Sequence, residues 1–143
     1  MTVKTVLSIL GFLVLLCPVA SFAQDSTKLP PAKKRIVNLD SVQYGVASYY
    51  AAKFQGRLTA SGEKYDSTKL TAAHNGLPFG TWVRVTNRRN KRSVIVKIND
   101  RLHHANTRVV DLSAAAAKKL GFYSRGLTKV KVEVLGKKKP VEQ

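Results

Sequence analysis

Three short polar clusters stand in one stretch of this chain, between Gly56 and Leu112: Thr59-Ala60-Ser61-Gly62-Glu63, Thr71-Ala72-Ala73-His74 and Asn99-Asp100-Arg101. Each sets titratable groups among apolar alternations and turn residues. A carboxylate that releases and recovers a proton is what general acid/base chemistry on a glycosidic bond requires, and a nearby His or second carboxylate can assist it. Every one of these residues also has an ordinary reading. Glu63 lies in a Gly-containing turn, where most carboxylates are simply solvated. His74 closes a short apolar run, as a core or rim histidine does. Asp100 can cap a turn or pair with Arg101, and Asp111 stands at a helix entrance as a capping residue. Scarcity shifts the balance. The chain has 8 acidic residues against 25 Lys and Arg, and Glu63, Asp66, Asp100 and Asp111 all fall within this one stretch. The surrounding cations lower carboxylate pKa values, which opposes proton donation unless burial offsets them.

Other chemistries find less support. His74, His103, His104 and Asp100 are conceivable metal ligands, but no recognised ligand spacing is present. On an extended segment His103 and His104 would point to opposite faces. No metal and no cofactor are therefore expected. There is no Gly-rich phosphate loop and no Gly-x-Ser-x-Gly elbow. Tyr49, Tyr50 and Trp82 are candidates for a stacking surface. Trp82 lies on an alternating strand and reads as core, while at least one of the two tyrosines should face out.

The elements that must position these residues are mostly strands. Residues 46–50, 70–73, 81–86, 93–98, 109–112 and 128–135 are short, β-branched or alternating, and separated by turn residues. Residues 81–86 and 93–98 form a hairpin around the basic turn 87–92. Residues 99–108 read as a loop carrying Asp100, His103 and His104. Ser113 reads as an N-cap, followed by an alanine-rich helix to Leu120 that Gly121 stops. So many short strands in one small domain favour a barrel, which leaves no exposed edges.

The ends carry different signals. Lys4, the apolar run Val6–Leu16 and Ser21-Phe22-Ala23 read as an export signal over residues 1–23. The apolar run is short of the roughly 20 residues of a membrane span. Cys17 is the one cysteine, and with Leu16 before it lipid attachment there is disfavoured. The expected location is the periplasm or cell envelope, without a membrane anchor. Residues 24–41 read as a basic, Pro-containing linker, 42–136 as the folded domain and 137–143 as a basic, frayed tail. The formal charge is +17, of which residues 1–23 carry only Lys4. Such a charge suits a polyanionic environment without naming it.

Several short motifs, in order, resemble a known family. They are Gly45-Val46-Ala47-Ser48-Tyr49-Tyr50, Phe54 to Glu63, Leu70-Thr71-Ala72-Ala73-His74, Leu77 to Thr81, Val85-Thr86-Asn87, Ile98-Asn99-Asp100-Arg101 and Val110-Asp111-Leu112-Ser113. Together they resemble the RlpA-like (rare lipoprotein A) domain of septal-ring lytic transglycosylases. The resemblance implies a mainly β fold, a six-stranded double-psi β-barrel with one or two short helices. It implies an endolytic peptidoglycan lyase that cuts between N-acetylmuramic acid and N-acetylglucosamine. The product end is 1,6-anhydro, and strands stripped of stem peptides are preferred. The family's active residues map onto Glu63, His74 and Asp100. Asp100 is then the expected acid/base, His74 its orienting partner and Glu63 a support for the sugar or its developing charge. Tyr50, Arg101 and Ser61 are the expected substrate-binding residues.

Where the family has Gly-Pro and an aromatic after Arg101, this chain has Leu102-His103-His104. No SPOR-type domain follows, so septal targeting by that route is not expected. The expected partner is the peptidoglycan glycan strand, met by a monomer. The competing function is a non-catalytic, expansin-like module that grips wall polysaccharide. A nucleic-acid binder ranks last, because no recognised helix or aromatic platform is present.

Overall fold

The computed structural model describes residues 41–141. The expected export signal, most of the linker and the last two residues lie outside the described residues. Six strands form: β1 (Val42–Tyr49), β2 (Thr71–Ala73), β3 (Trp82–Asn87), β4 (Ser93–Asp100), β5 (Val110–Leu112) and β6 (Thr128–Gly136). One helix, α1 (Ala114–Lys119), and a single 3-10 turn at Ala52–Phe54 complete the described elements. The strands close into a barrel in the order β1-β5-β2-β4-β3-β6. Two neighbouring pairs, β1 with β5 and β2 with β4, run parallel, and the other four run antiparallel. This is the six-stranded double-psi barrel that the resemblance implies.

Alternation explains the core. Val83 and Val85 of β3, Val94 and Val96 of β4, and Val130 and Val132 of β6 point inward, with Ile98, Val110, Leu112, Leu77 and Phe122 filling the centre. The same parity sends Trp82 outward, beside Arg84 and Thr86, and it is half-buried. The expectation of a core Trp82 is thus corrected. The β3–β4 hairpin has the expected antiparallel pairing, with Trp82 opposite Lys97.

Helix α1 is framed as its sequence requires. The Ser113 Oγ accepts from the Ala116 N–H at 3.3 Å. At the other end the Phe122 N–H reaches the Ala117 carbonyl and the Gly121 N–H the Lys118 carbonyl. Gly121 has φ +70°, so this is a Schellman closure with buried Phe122 as its apolar contact. Asp111 does not cap the helix. It lies in β5, and Arg108 grips its carboxylate at 2.7 and 2.9 Å. After β6 the Lys137 ammonium donates to the Phe79 carbonyl and Lys139 lies over the Trp82 ring.

Gly45 permits a close approach of β1 to the segment before β5. A Cβ at that position would sit 2.8 Å from Val109 Cβ and 2.9 Å from its Cγ1. Both contacts are too short for carbon atoms. Gly45→Ala is expected to cost about 1–3 kcal/mol of stability, the usual penalty of overpacking. A shift in the denaturant midpoint at constant slope measures it.

Candidate active site

The three candidate residues are brought to one end of the barrel by a bulge and a docked loop. The β2–β4 register steps from Ala72 opposite Ile98 to Ala73 opposite Asp100, skipping Asn99. Such a step bends the strand and re-aims its side chains. It carries β4 through Asn99 and Asp100, so Asp100 ends a strand and does not sit in the expected loop. His74, following Ala73, is placed beside it, with its N–H donating to the Asp100 carbonyl at 3.1 Å.

The loop of residues 56–65 folds on itself through bonds from Tyr65 N–H to Arg57 O and Thr59 N–H to Glu63 O. Gly62, at φ +88°, makes the left-handed turn that closes its tip. The tip then docks on β4. The Ser61 N–H donates to the Asn99 carbonyl at 3.2 Å, and the Ala60 N–H to Asp100 Oδ1 at 2.8 Å. Loop and bulge therefore hold Glu63 and Asp100 in a fixed relation.

The Asp100 carboxylate is held from several sides. Its Oδ1 also accepts the Arg101 N–H at 2.8 Å. Its Oδ2 accepts from the Tyr50 hydroxyl at 2.6 Å. Tyr50 is itself held, edge-on to Phe54 at 6.0 Å and tilted against Tyr65 at 4.5 Å. Burial first, and then the bond to Asp100, push the Tyr50 phenol well above the usual range, so it stays protonated as a donor.

Glu63 has a different environment. Its Oε1 accepts from Lys97 Nζ at 2.7 Å and its Oε2 from Asn99 Nδ2 at 2.9 Å. The Lys97 bond, then the Asn99 bond, hold its pKa below the usual carboxylate value. The side chain is 47% exposed, so the pair is screened and contributes little stability. Its anionic form persists above that lowered value and is lost as pH falls through it. Lys97→Met removes the largest cause, so protonation is expected to begin at a higher pH. A carboxyl-resolved NMR titration of Glu63 measures that upward move, and an unchanged midpoint would assign the lowering to Asn99.

The His74 ring is buried, and the Gly76 and Leu77 N–H groups both donate to its Nδ1, at 2.9 and 3.0 Å. Nδ1 must then be an acceptor, which places the proton of a neutral ring on Nε2, 3.1 Å from Gln43 Oε1. His74 thus braces the turn after β2 and meets Asp100 through the main chain. The Arg101 guanidinium lies over Phe79, 3.9 Å from the ring centroid, and donates through Nη1 to the His74 carbonyl at 2.9 Å. Its partial burial lowers its pKa, opposed by the Asp100 charge. The Ser61 Oγ sits 3.0 Å from Thr59 Oγ1, inside the loop tip.

After Arg101, the Leu102 side chain is buried and its N–H donates to Asn75 Oδ1 at 2.8 Å. The His103 and His104 rings lie together with centroids 4.2 Å apart, because a turn replaces the extended segment that would have separated them. Among the described residues, no group of three or more His, Cys, Asp or Glu side chains is placed to hold a metal ion.

Sequence reasoning missed Asn99, Gln43, Asn75 and Tyr65 as supports of this site. Asn99 carried a signal, since a polar residue that ends an apolar strand next to an Asp is unusual there. The others support the site across separations that no local pattern encodes.

Residues 42–132 match the family described as lytic transglycolase, a span that contains Glu63, His74 and Asp100. The chain belongs to the lytic transglycolase family. Among named relatives of this transglycolase domain, "Endolytic peptidoglycan transglycosylase RlpA" of Haemophilus influenzae is 51% identical over 94 residues, covering 66% of this chain and 33% of the relative. The Pseudomonas aeruginosa protein of the same name is 55% identical over 89 residues, covering 62% of this chain and 26% of the relative. The chain thus spans a third or less of these two relatives. Among solved structures, the Streptomyces papain inhibitor matches with TM-score 0.54 at 22% identity, over 66% of this chain and 94% of that one. An expansin of Clavibacter michiganensis matches with TM-score 0.54 at 20% identity, over 71% and 53%. At those identities the two structures share the fold with this transglycolase domain.

Proposed function

We propose that this domain acts in the cell envelope, after export, as an endolytic peptidoglycan transglycosylase. It cleaves between N-acetylmuramic acid and N-acetylglucosamine and leaves a 1,6-anhydro end, on strands stripped of their stem peptides. The observation that carries this reading is the contrast between two carboxylates at one barrel end. Glu63 is held as an anion by Lys97 and Asn99. Asp100 is held by one hydroxyl and two main-chain N–H groups.

A carboxylate offers about four lone-pair positions. Oδ1 of Asp100 has two donors, while Oδ2 has only Tyr50, so proton exchange with substrate falls to Oδ2. The proton leaves Oδ2 for the glycosidic oxygen as the C1–O bond breaks. The muramic acid C6 oxygen then bonds to C1, and its hydroxyl proton returns to Oδ2. No water enters the product, and the enzyme ends as it began. The Glu63 anion faces the positive charge that develops on the sugar ring. Arg101 and the lysines near Glu63 complement the lactyl carboxylates of stripped strands.

The test is digestion of purified sacculi, with and without prior removal of stem peptides. Mass spectrometry should find 1,6-anhydro glycan fragments, in greater yield from stripped sacculi. Reducing ends in their place would identify a hydrolase and refute the reading. The loop Leu102-His103-His104 favours a second reading, a non-catalytic module that grips wall polysaccharide. Co-sedimentation with sacculi and no soluble fragment of either kind would establish it.

A further inference from the structure

A groove of about 530 Å³ crosses the outer face of the sheet formed by β2, β4 and β3. It begins at Glu63, passes Thr71, Ile95 and Lys97, and reaches Trp82. Its size lies within the range of clefts that take small ligands, about 300–1,000 Å³. Trp82 turns its ring to this face because Val83 and Val85 occupy the core parity of β3. Three ammonium groups, those of Lys69, Lys97 and Lys139, line the groove, and Lys139 Nζ stands 6.0 Å from the Trp82 ring centroid. The one acidic residue in the lining, Glu63, is already bonded to Lys97 and Asn99. Lys69 and Lys139 therefore leave an excess of positive charge around a half-buried indole.

We propose that this groove is an extension subsite for a glycan strand, resting on the transglycosylase reading above. One pyranose lies with its C–H face on Trp82 and displaces the Lys139 ammonium from over the ring, so that Lys139 with Lys69 meets the lactyl carboxylate of a muramic acid residue. The combination selects its occupant. An indole face suits any pyranose, but the flanking ammonium groups favour a sugar that carries a carboxylate over a neutral one. The subsite adjoins the candidate active site at Glu63. Glu63 belongs to both, and its partner Asn99 directly precedes Asp100. A strand seated on Trp82 is thereby led toward Asp100.

Trp82 is the one tryptophan of the chain, so its emission reports on this groove alone. The full chain carrying Asp100→Asn, to prevent turnover, is titrated with peptide-stripped glycan oligomers and with chitin oligomers of equal length. Saturable change in emission is expected with the stripped glycan, and binding about tenfold weaker with chitin, as two exposed ion pairs allow. Lys69→Ala with Lys139→Ala should reduce the stripped-glycan affinity to the chitin level. Trp82→Ala should weaken sedimentation with stripped sacculi. An unchanged emission while the protein still sediments with sacculi overturns the subsite and leaves the transglycosylase reading intact. Equal affinity for chitin overturns the carboxylate selection. Absence of both emission change and sedimentation, together with absence of product from the wild-type chain, removes the parent reading and the subsite with it.

Discussion

Replacing Asp100 with Asn is expected to lower the rate of 1,6-anhydro product formation by about 10²–10⁴-fold, the contribution of a positioned acid/base. The substitution keeps the shape of the side chain. The amide oxygen can accept the Ala60 and Arg101 N–H groups that Oδ1 now accepts, and the amide NH₂ can turn its hydrogens toward the Tyr50 oxygen. The docked loop should survive, and the variant should sediment with sacculi as the wild-type chain does. What is lost is the exchangeable proton, because an amide neither gives nor takes one at neutral pH. Initial rates of fragment release, followed by mass spectrometry, measure the effect. A rate within about threefold of wild type would rule Asp100 out, since it falls far below any acid/base contribution. Glu63→Gln should have the smaller effect, as the proposed role of Glu63 rests on its charge and not on a proton.

The parts of the fold that were legible in the sequence are those with local periodicity. Val83 and Val85, and Val130 and Val132, alternate with polar residues, Val94 and Val96 flank an outward Ile95, and each pair is buried. Ser113 and Gly121 frame α1 because capping depends on residues within a few positions. A core Trp82 follows only if the parity of its strand is ignored. A strand that commits Val83 and Val85 to the core has already assigned Trp82 to the surface. Asp111 likewise alternates with buried Val110 and Leu112, and Arg108 stood three residues before it.

The arrangement of the site was illegible for a physical reason. Asp100 leaves its expected loop because β2, whose Ala73 pairs with it from 27 residues earlier, extends β4 through a bulge. Neither strand alone encodes that register. The bond between the Ala60 N–H and Asp100 joins residues 40 apart, and the Tyr50 bond spans 50. Chain closure of this kind follows from the barrel topology, which makes neighbours of β1, the 56–65 loop and the end of β4. Glu63, His74 and Asp100 were legible as residue types, through the resemblance. Their supports, Tyr50 through its hydroxyl and Asn99 through its amide, are visible only in the closed barrel.

Tyr50 separates the two kinds of reading most sharply. Read from the sequence, it is an aromatic surface for a sugar. In the structure its hydroxyl is 2.6 Å from Asp100 Oδ2, and its ring lies between Phe54 and Tyr65. Tyr50→Phe retains the ring and deletes only the hydroxyl. If the ring alone mattered, the variant would keep its rate and its affinity. If the hydroxyl positions Asp100, kcat should fall about 10–100-fold while KM changes little, because a hydrogen bond to a charged group contributes about 1.5–3 kcal/mol. The removal also takes a donor from the oxygen assigned to proton exchange. A fall in kcat with KM unchanged marks a positioning residue. A rise in KM alone would return Tyr50 to the sugar-binding surface and leave Ala60 and Arg101 as the groups that orient Asp100.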